Sequence, residues 1–198
     1  MTDVDRLCRG ASRAAWGYFF LFFNFDINGF QILPDFVGYL LFLSAIRLLE
    51  DEERELSLLR GFASILAAAK FIEWAVPSFG AELGAFWDLP SFLCGLLALY
   101  FQFQFLTNLA SIAARYQAPG EQMDRLLLRR RTFLTVLQTI LTLCSLFLEE
   151  FSRLTGFQYL VISLLVLNII AGLVMLFTLF RLRRILASTP FQPVKPPP

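Results

Sequence analysis

The chain has 198 residues, of which 57% are apolar, 16% aromatic and only 17% charged, and its net charge is +1. Soluble domains carry about 25% charged residues, so this composition, with a mean hydropathy of +0.63, predicts a membrane protein. The near-neutral charge, without a basic run interleaved with aromatic residues, excludes a nucleic-acid partner. The absence of histidine removes the commonest catalytic base and metal ligand.

Six apolar segments follow one another along the chain. Lipid offers the backbone no hydrogen-bond partner, so segments this long and this uniformly apolar are expected to be helices. We therefore predict an all-α fold, a polytopic transmembrane bundle of six helices that occupies residues 1–187. The predicted helices cover about 4–24, 34–50, 59–77, 89–115, 131–150 and 157–186, each long enough to approach or cross roughly 30 Å of hydrocarbon.

A weak internal repeat predicts that the helices form three hairpins. Leu33-Pro34-x-Phe36 recurs as Leu89-Pro90-x-Phe92, and Gly29-Phe30-Gln31 recurs as Gly156-Phe157-Gln158. Each match falls at the start of the second helix of a predicted hairpin.

The positions of the cationic residues predict the orientation. If the N-terminus lies inside, 15 of the 17 lysines and arginines fall in cytoplasmic segments, with Arg153 outside and Lys70 within the third helix. Cytoplasmic loops of membrane proteins carry such an excess, so both termini are predicted to be cytoplasmic. Residues 188–198, which end in three prolines, are predicted to form a disordered cytoplasmic tail.

The first hairpin carries the most informative polar residues, Asp26, Asn28 and Asp35. Short segments interrupted by glycine and proline indicate a binding site in transporter-like folds, although an ordinary outer turn would use the same residues. Asn24-x-Asp26-x-Asn28-Gly29-x5-Asp35 also has the spacing of a calcium loop, with Asn24, Asp26, Asn28 and Asp35 as metal ligands. Asparagine at the first position and aspartate at the last depart from that motif and would weaken the site.

Lys70 and Glu73 stand three residues apart on the third helix and therefore on one face. A charge inside the bilayer is costly and is by default functional. Two interpretations stay open, a self-neutralising pair and a proton or ion relay.

Polar stripes run along two other helices. The fifth carries Thr135, Gln138, Thr142, Ser145 and Glu149 at steps of three and four residues, and the fourth carries Gln104, Asn108, Ser111 and Arg115. Such stripes either line a hydrated path or join neighbouring helices in a seam. The candidate residues for a polar path or binding site are Asp26, Asn28, Asp35, Lys70, Glu73, Gln104, Asn108, Gln138, Thr142 and Glu149.

The run Ile32-Leu33-Pro34-Asp35-Phe36-Val37-Gly38-Tyr39, which follows a Trp16-Gly17-Tyr18-Phe19-Phe20 helix, has a distinctive pattern. It resembles a family of small bacterial membrane proteins, frequent in Gram-positive lineages, that carry an ILPDFIGY-like motif after a short first helix. The resemblance implies a multi-pass protein of a bacterial plasma membrane and implies no activity.

These observations favour a non-enzymatic protein, without cofactors, that transports a small cation or cationic solute or forms a channel for it. The alternative is a membrane scaffold or accessory subunit that acts through its polar stripes and the arginine-rich inner loop, residues 125–131. The expected partners are the lipid bilayer and either a second copy of the chain or another membrane protein.

Overall fold

The structure, a computed structural model, describes residues 3–23, 26–27, 30–31, 33–79, 84–118, 120–146 and 155–188. Six α-helices account for most of these residues, so the all-α class is confirmed. A 3-10 turn (Ala85–Trp87) precedes the fourth helix, and a two-residue antiparallel pair, β1 (Asp26–Ile27) with β2 (Phe30–Gln31), follows the first. The helices are α1 (Asp3–Phe22), α2 (Asp35–Leu49), α3 (Glu55–Ser78), α4 (Asp88–Tyr116), α5 (Met123–Leu146) and α6 (Thr155–Ser188).

The helices form a closed ring. Each helix packs against the next one in the chain, and α6 packs back against α1. A ring of this kind gives every helix two neighbours and leaves its outward face uncovered. Its centre can hold either a packed core or a cavity.

The backbones of α1 and α2 approach each other closely at Gly17 and Gly38. A Cβ atom added to Gly38 would lie 3.0 Å from the carbonyl oxygen of Gly17, and one added to Gly17 would lie 3.1 Å from that of Gly38. Ala11, Ala14 and Ala15 of α1 are also fully buried. Small residues let helix backbones approach closely, so the sequence of α1 is suited to an interior position between α2 and α6.

Three stacked and edge-packed phenylalanines fill the middle of the ring, and we call Phe42, Phe101 and Phe105 the aromatic plug. The Phe42 ring lies 5.4 Å from that of Phe101 and 4.9 Å from that of Phe105, centroid to centroid. All three side chains are buried. Aromatic pairs at these separations are favourable beyond the area they bury, so the plug closes the centre of the ring.

Two of the described helices, α4 and α6, are long and apolar enough to cross a membrane. In each of them only 22% of the most apolar 18-residue window is buried inside the protein, so most of that apolar surface faces outward. The other four described helices are not both long and apolar enough to meet this criterion. Helices α1 and α5 carry clusters of charged residues, α3 carries Lys70 and Glu73, and α2 has only 15 residues.

Helix α5 begins at Met123, about two turns before the predicted start near residue 131. The Gln117 side chain explains the earlier start, because its Oε1 accepts hydrogen bonds from the backbone N–H groups of Met123 (2.8 Å) and Asp124 (3.3 Å), which have no partner within the helix. Its Nε2 donates to Asp124 Oδ1 at 3.0 Å and lowers the pKa of that carboxyl. The segment 125–131, predicted to be a loop, is therefore helical.

The bundle has one strongly charged end, formed by the α2–α3 turn (residues 50–54) and the α4–α5 turn (residues 117–122). Arg6 near the start of α1 pairs with Asp51, and Arg60 pairs with Glu50. Arg115 at the end of α4 lies 2.6 Å from Glu53. These contacts join three helices to one acidic turn, and we refer to this end as the charged end.

Candidate functional site

A cavity of about 320 Å³ lies inside the helix ring, and all helices except α3 contribute to its lining. Apolar side chains of α1, α4 and α5 form part of the wall, and Phe42 and Phe101 of the aromatic plug form part of it as well. Its polar lining residues are Tyr18 from α1, Asp35 and Tyr39 from α2, Gln102 from α4, Gln138 and Thr142 from α5, and Asn168 from α6.

Several polar atoms of this lining are buried without a hydrogen-bond partner among the described residues. They are Tyr18 Oη, Asp35 Oδ1, Gln138 Oε1, Asn168 Oδ1 and Gln102 Nε2. Buried polar atoms in native proteins are almost always satisfied, and an unsatisfied one costs about 1–3 kcal/mol. Five such atoms around one cavity indicate a space that holds water or a polar ligand.

The two tyrosines lie on the plug side of the cavity. Tyr18 is fully buried, and its ring packs edge to face on Phe42 with centroids 5.2 Å apart. Its hydroxyl lies beside the Gln102 amide without forming a hydrogen bond of normal geometry. Tyr39, also buried, packs against Phe101 at 6.0 Å. The cavity therefore changes from polar walls to aromatic walls towards the charged end.

Asp35 is the first residue of α2 and supplies the cavity's carboxylate. An acidic residue is favoured at this position because the N-terminus of a helix carries a partial positive charge. Pro34 precedes it in an extended conformation and cannot continue a helix backwards. The neighbouring Phe36 packs on Phe71 (5.2 Å) and Trp74 (5.5 Å) of α3, which fixes this end of α2 against α3.

Lys70 and Glu73 form a closed pair next to the cavity. Lys70 Nζ lies 2.6 Å from Glu73 Oε2, while Glu73 Oε1 accepts hydrogen bonds from Ser91 Oγ at 3.0 Å and Trp87 Nε1 at 3.4 Å. Both residues are within electrostatic range of Asp35, but neither belongs to the described lining. The geometry corresponds to the self-neutralising interpretation of the pair.

The structure brings three of the predicted path residues, Asp35, Gln138 and Thr142, together in one cavity. It places two others elsewhere. Gln104 Nε2 lies 3.5 Å from Glu55 near the charged end, and Asn108 is buried with its Nδ2 atom unpaired, outside the cavity.

The remaining predicted site residues lie wholly or partly outside the described part of the chain. Asn24, Asn28 and Glu149 are not described, and Asp26 is described only by its backbone, which pairs with Gln31. Among the residues that the structure describes, no group of three or more His, Cys, Asp or Glu side chains could hold a metal ion. The calcium-loop assignment therefore stays a prediction.

Sequence reasoning did not select Tyr18, Gln102 or Asn168 as site residues. Asn168 offered a usable signal, because it is an uncharged polar residue in the middle of the most apolar helix and such residues seldom face lipid. Gln102 offered a similar one, since it lies between Phe101 and Phe103. Tyr18 gave no such signal among the many aromatic residues of the chain.

Comparison of the chain with protein-family models, with curated proteins and with solved structures finds no match. The resemblance to the family with the ILPDFIGY-like motif stays a prediction.

Proposed function

We propose that the chain is a multi-pass protein of a bacterial plasma membrane, with six spans as three hairpins and both termini cytoplasmic, that moves a small cation or cationic solute through the helix ring. The observation that carries the proposal is the cavity, where Asp35 Oδ1, Gln138 Oε1 and Asn168 Oδ1 have no hydrogen-bond donor among the described residues. Each of these oxygens is a potential ligand for a cation that enters the cavity.

The chemistry of the lining favours a cation over an anion. Carboxylate and amide oxygens are the ligands that hard cations prefer, and the described lining contains one carboxylate and no lysine or arginine. A volume of 320 Å³ holds about ten waters at their liquid density. The space therefore suits a hydrated metal cation or a small organic cation.

The outward faces of the helices support a membrane location. Large apolar side chains are exposed along α4, α5 and α6, including Leu96, Val136 and Ile169. Soluble monomers rarely expose contiguous apolar patches of more than a few hundred Å². The charged end, with its many arginines, would face the cytoplasm under the positive-inside rule.

The aromatic plug supplies the barrier that a transport path needs. It separates the cavity from the packed core near the charged end, where Ile46, Leu49 and Leu109 are buried. We propose that a cation reaches the cavity from the end that carries Asp35. Movement of a cation to the other side would require the plug to open.

The lining also favours a non-enzymatic role. Nucleophilic catalysis needs a nucleophile beside a general base, and the described lining holds one carboxylate but no serine, cysteine, histidine or lysine, the nearby Lys70 being paired with Glu73. Binding and release of a cation need only the carboxylate and the amide oxygens.

A flux measurement tests the proposal. The purified chain would be reconstituted into vesicles, and the uptake of sodium, potassium and tetramethylammonium would be measured for wild type and Asp35→Asn. We expect a flux of at least one of these cations in wild type and its loss in Asp35→Asn, since the variant removes the only carboxylate in the described lining.

Asp88→Asn is the matched control. Asp88 is the first residue of α4, as Asp35 is of α2, but its side chain is exposed and does not belong to the described lining of the cavity. The control should retain the wild-type flux. Absence of any cation flux in wild type, or equal fluxes in wild type and Asp35→Asn, would overturn the proposal.

A further inference from the structure

A second polar feature lies on the outside of the ring, between α5 and α6 at the charged end. A pocket of about 310 Å³ is lined there by Arg125, Arg129 and Arg181, together with Glu121 and the apolar side chains of Leu126 and Ile185. None of the ion pairs between described residues includes any of the three arginines. The pocket therefore has an excess of positive charge.

Arg130 adds a fourth cation beside this pocket, although it is not one of the lining residues. Its guanidinium reaches across to α6, where it donates to the carbonyl oxygen of Val174 at 3.0 Å and to the hydroxyl of Thr178. Both acceptors are uncharged, and Arg130 lies close enough to Arg181 to be repelled by it. Like charges held together in this way are stabilised by an anion that binds between them.

An apolar groove continues from this pocket along the same two helices. It encloses about 370 Å³ and shares Leu126 and Arg129 with the basic pocket. Beyond Arg129 and Arg130 its walls are apolar, formed by Phe133, Leu134, Leu167, Ile170, Ala171 and Val174. From Arg181 to Leu167, α6 rises about 21 Å at 1.5 Å per residue, which exceeds half of a hydrocarbon layer about 30 Å thick.

We propose that this groove binds one anionic phospholipid of the cytoplasmic leaflet, with the headgroup phosphate at Arg125, Arg129 and Arg181 and an acyl chain along the apolar walls. The inference rests on the membrane location proposed above but not on transport. Charge complementarity selects the occupant, because only a molecule with an anionic head and an apolar tail fits both parts of the groove. Basic pockets between spanning helices on the cytoplasmic side are known to bind such headgroups.

The test uses native mass spectrometry of the full chain released from mixed micelles that contain phosphatidylglycerol or phosphatidylcholine. We expect one phosphatidylglycerol to be retained by most of the protein and phosphatidylcholine to be retained at least about tenfold less, since each of the three arginines near the headgroup contributes roughly a fivefold preference for an anion. Arg129→Gln/Arg181→Gln should lose this preference.

Two further variants separate the groove from general surface charge. Arg47→Gln/Arg54→Gln removes the same number of charges from exposed positions at the charged end, away from the groove, and should retain the preference. Ile170→Trp keeps every arginine but fills the groove, where Ile170 is half-exposed, and should reduce retention of the lipid. Because Ile170 faces outward, this variant tests the groove even if the double arginine variant fails to fold.

Several results would overturn the inference. Equal retention of the two lipids would mean that the arginines act only as general surface charge. Equal losses of the preference for phosphatidylglycerol in Arg129→Gln/Arg181→Gln and Arg47→Gln/Arg54→Gln would mean the same. Full competition by glycerol 3-phosphate, which lacks acyl chains, would assign the pocket to a soluble phosphate. Cation flux is measured separately, in vesicles of phosphatidylcholine alone. This measurement distinguishes failure of the lipid site from failure of the proposed transport.

Discussion

At the charged end of the ring the carboxylates of Glu50, Asp51 and Glu53 each lie beside an arginine, whereas in the cavity Asp35 Oδ1 has no partner among the described residues. Tyr116 Oη even donates to Glu52 at 2.7 Å, so the whole acidic turn is engaged. The two regions lie in the same bundle and draw on similar residue types. They differ in degree: each of these acidic side chains at the charged end has an arginine or tyrosine partner, although Glu50 Oε2 and Arg60 Nε are buried without one among the described residues, whereas in the cavity Asp35 Oδ1 and several amide atoms are unpaired.

The comparison distinguishes polar groups that stabilise the fold from polar groups that are available to bind a ligand. A paired carboxylate at the charged end ties helices together, because removing either partner leaves a charge without compensation. An unpaired group in the cavity lowers stability, and proteins keep such groups chiefly at functional sites. The contacts of the charged end therefore contribute to stability, and the cavity is the part of the molecule to which the proposed function assigns binding.

The largest expected effect comes from breaking the plug between the two regions. Phe105→Ala should lower the free energy of unfolding by about 3–5 kcal/mol, because it opens a cavity in a fully buried aromatic cluster. Unfolding by SDS in mixed micelles would measure it. Phe177→Ala, at a side chain that is 68% exposed on α6, is the control. Equal losses in the two variants would contradict a packed barrier.

A smaller loss in the free energy of unfolding is expected when one partner of an ion pair at the charged end is removed. Glu53→Gln should lower the free energy of unfolding by about 1–3 kcal/mol, the usual range for a hydrogen bond to a charged group, because Arg115 and Ser111 both donate to Glu53. The same SDS titration applies. Glu121→Gln makes the same change at an exposed position and should leave stability within about 0.5 kcal/mol of wild type. A similar loss in both variants would mean that Glu53 acts only through net charge.

The smallest effect, with the opposite sign, is expected in the cavity. Asp35→Asn should raise the free energy of unfolding by about 0.5–1 kcal/mol, since stabilising substitutions at functional sites often relieve strain or unpaired charge. A gain in stability together with a loss of flux would support the distinction between the charged end and the cavity. A loss of stability in Asp35→Asn that exceeds that in Glu53→Gln would reverse it, and would make Asp35 a structural residue paired with Lys70.

Much of the fold was accessible from the sequence because it depends on one-dimensional patterns. The helix positions follow from runs of apolar residues, and α2 and α4 start next to Pro34 and Pro90 as expected. The start of α5 was placed too late, because the three arginines at residues 129–131 resembled a loop. Gln117, seven residues before Asp124, supplies the cap, and no pattern in the sequence pointed to it.

The candidate site was accessible only in part. Asp35, Gln138 and Thr142 stood out as polar residues in apolar surroundings, and the structure places all three in one cavity. Gln104 and Asn108 stood out for the same reason and lie elsewhere. The ion pairs by which the acidic turn joins α1, α3 and α4 were not indicated by any pattern in the sequence.

The residues alone predict the six helices that the described part of the chain forms and the arginine-rich end, because hydrophobicity and charge are properties of each segment taken separately. Which polar residues face one another depends on the tertiary structure. Closure of the ring brings side chains from five helices to one cavity and pairs the acidic turn with arginines, and such contacts depend on the rotation and order of the helices, which no single segment encodes.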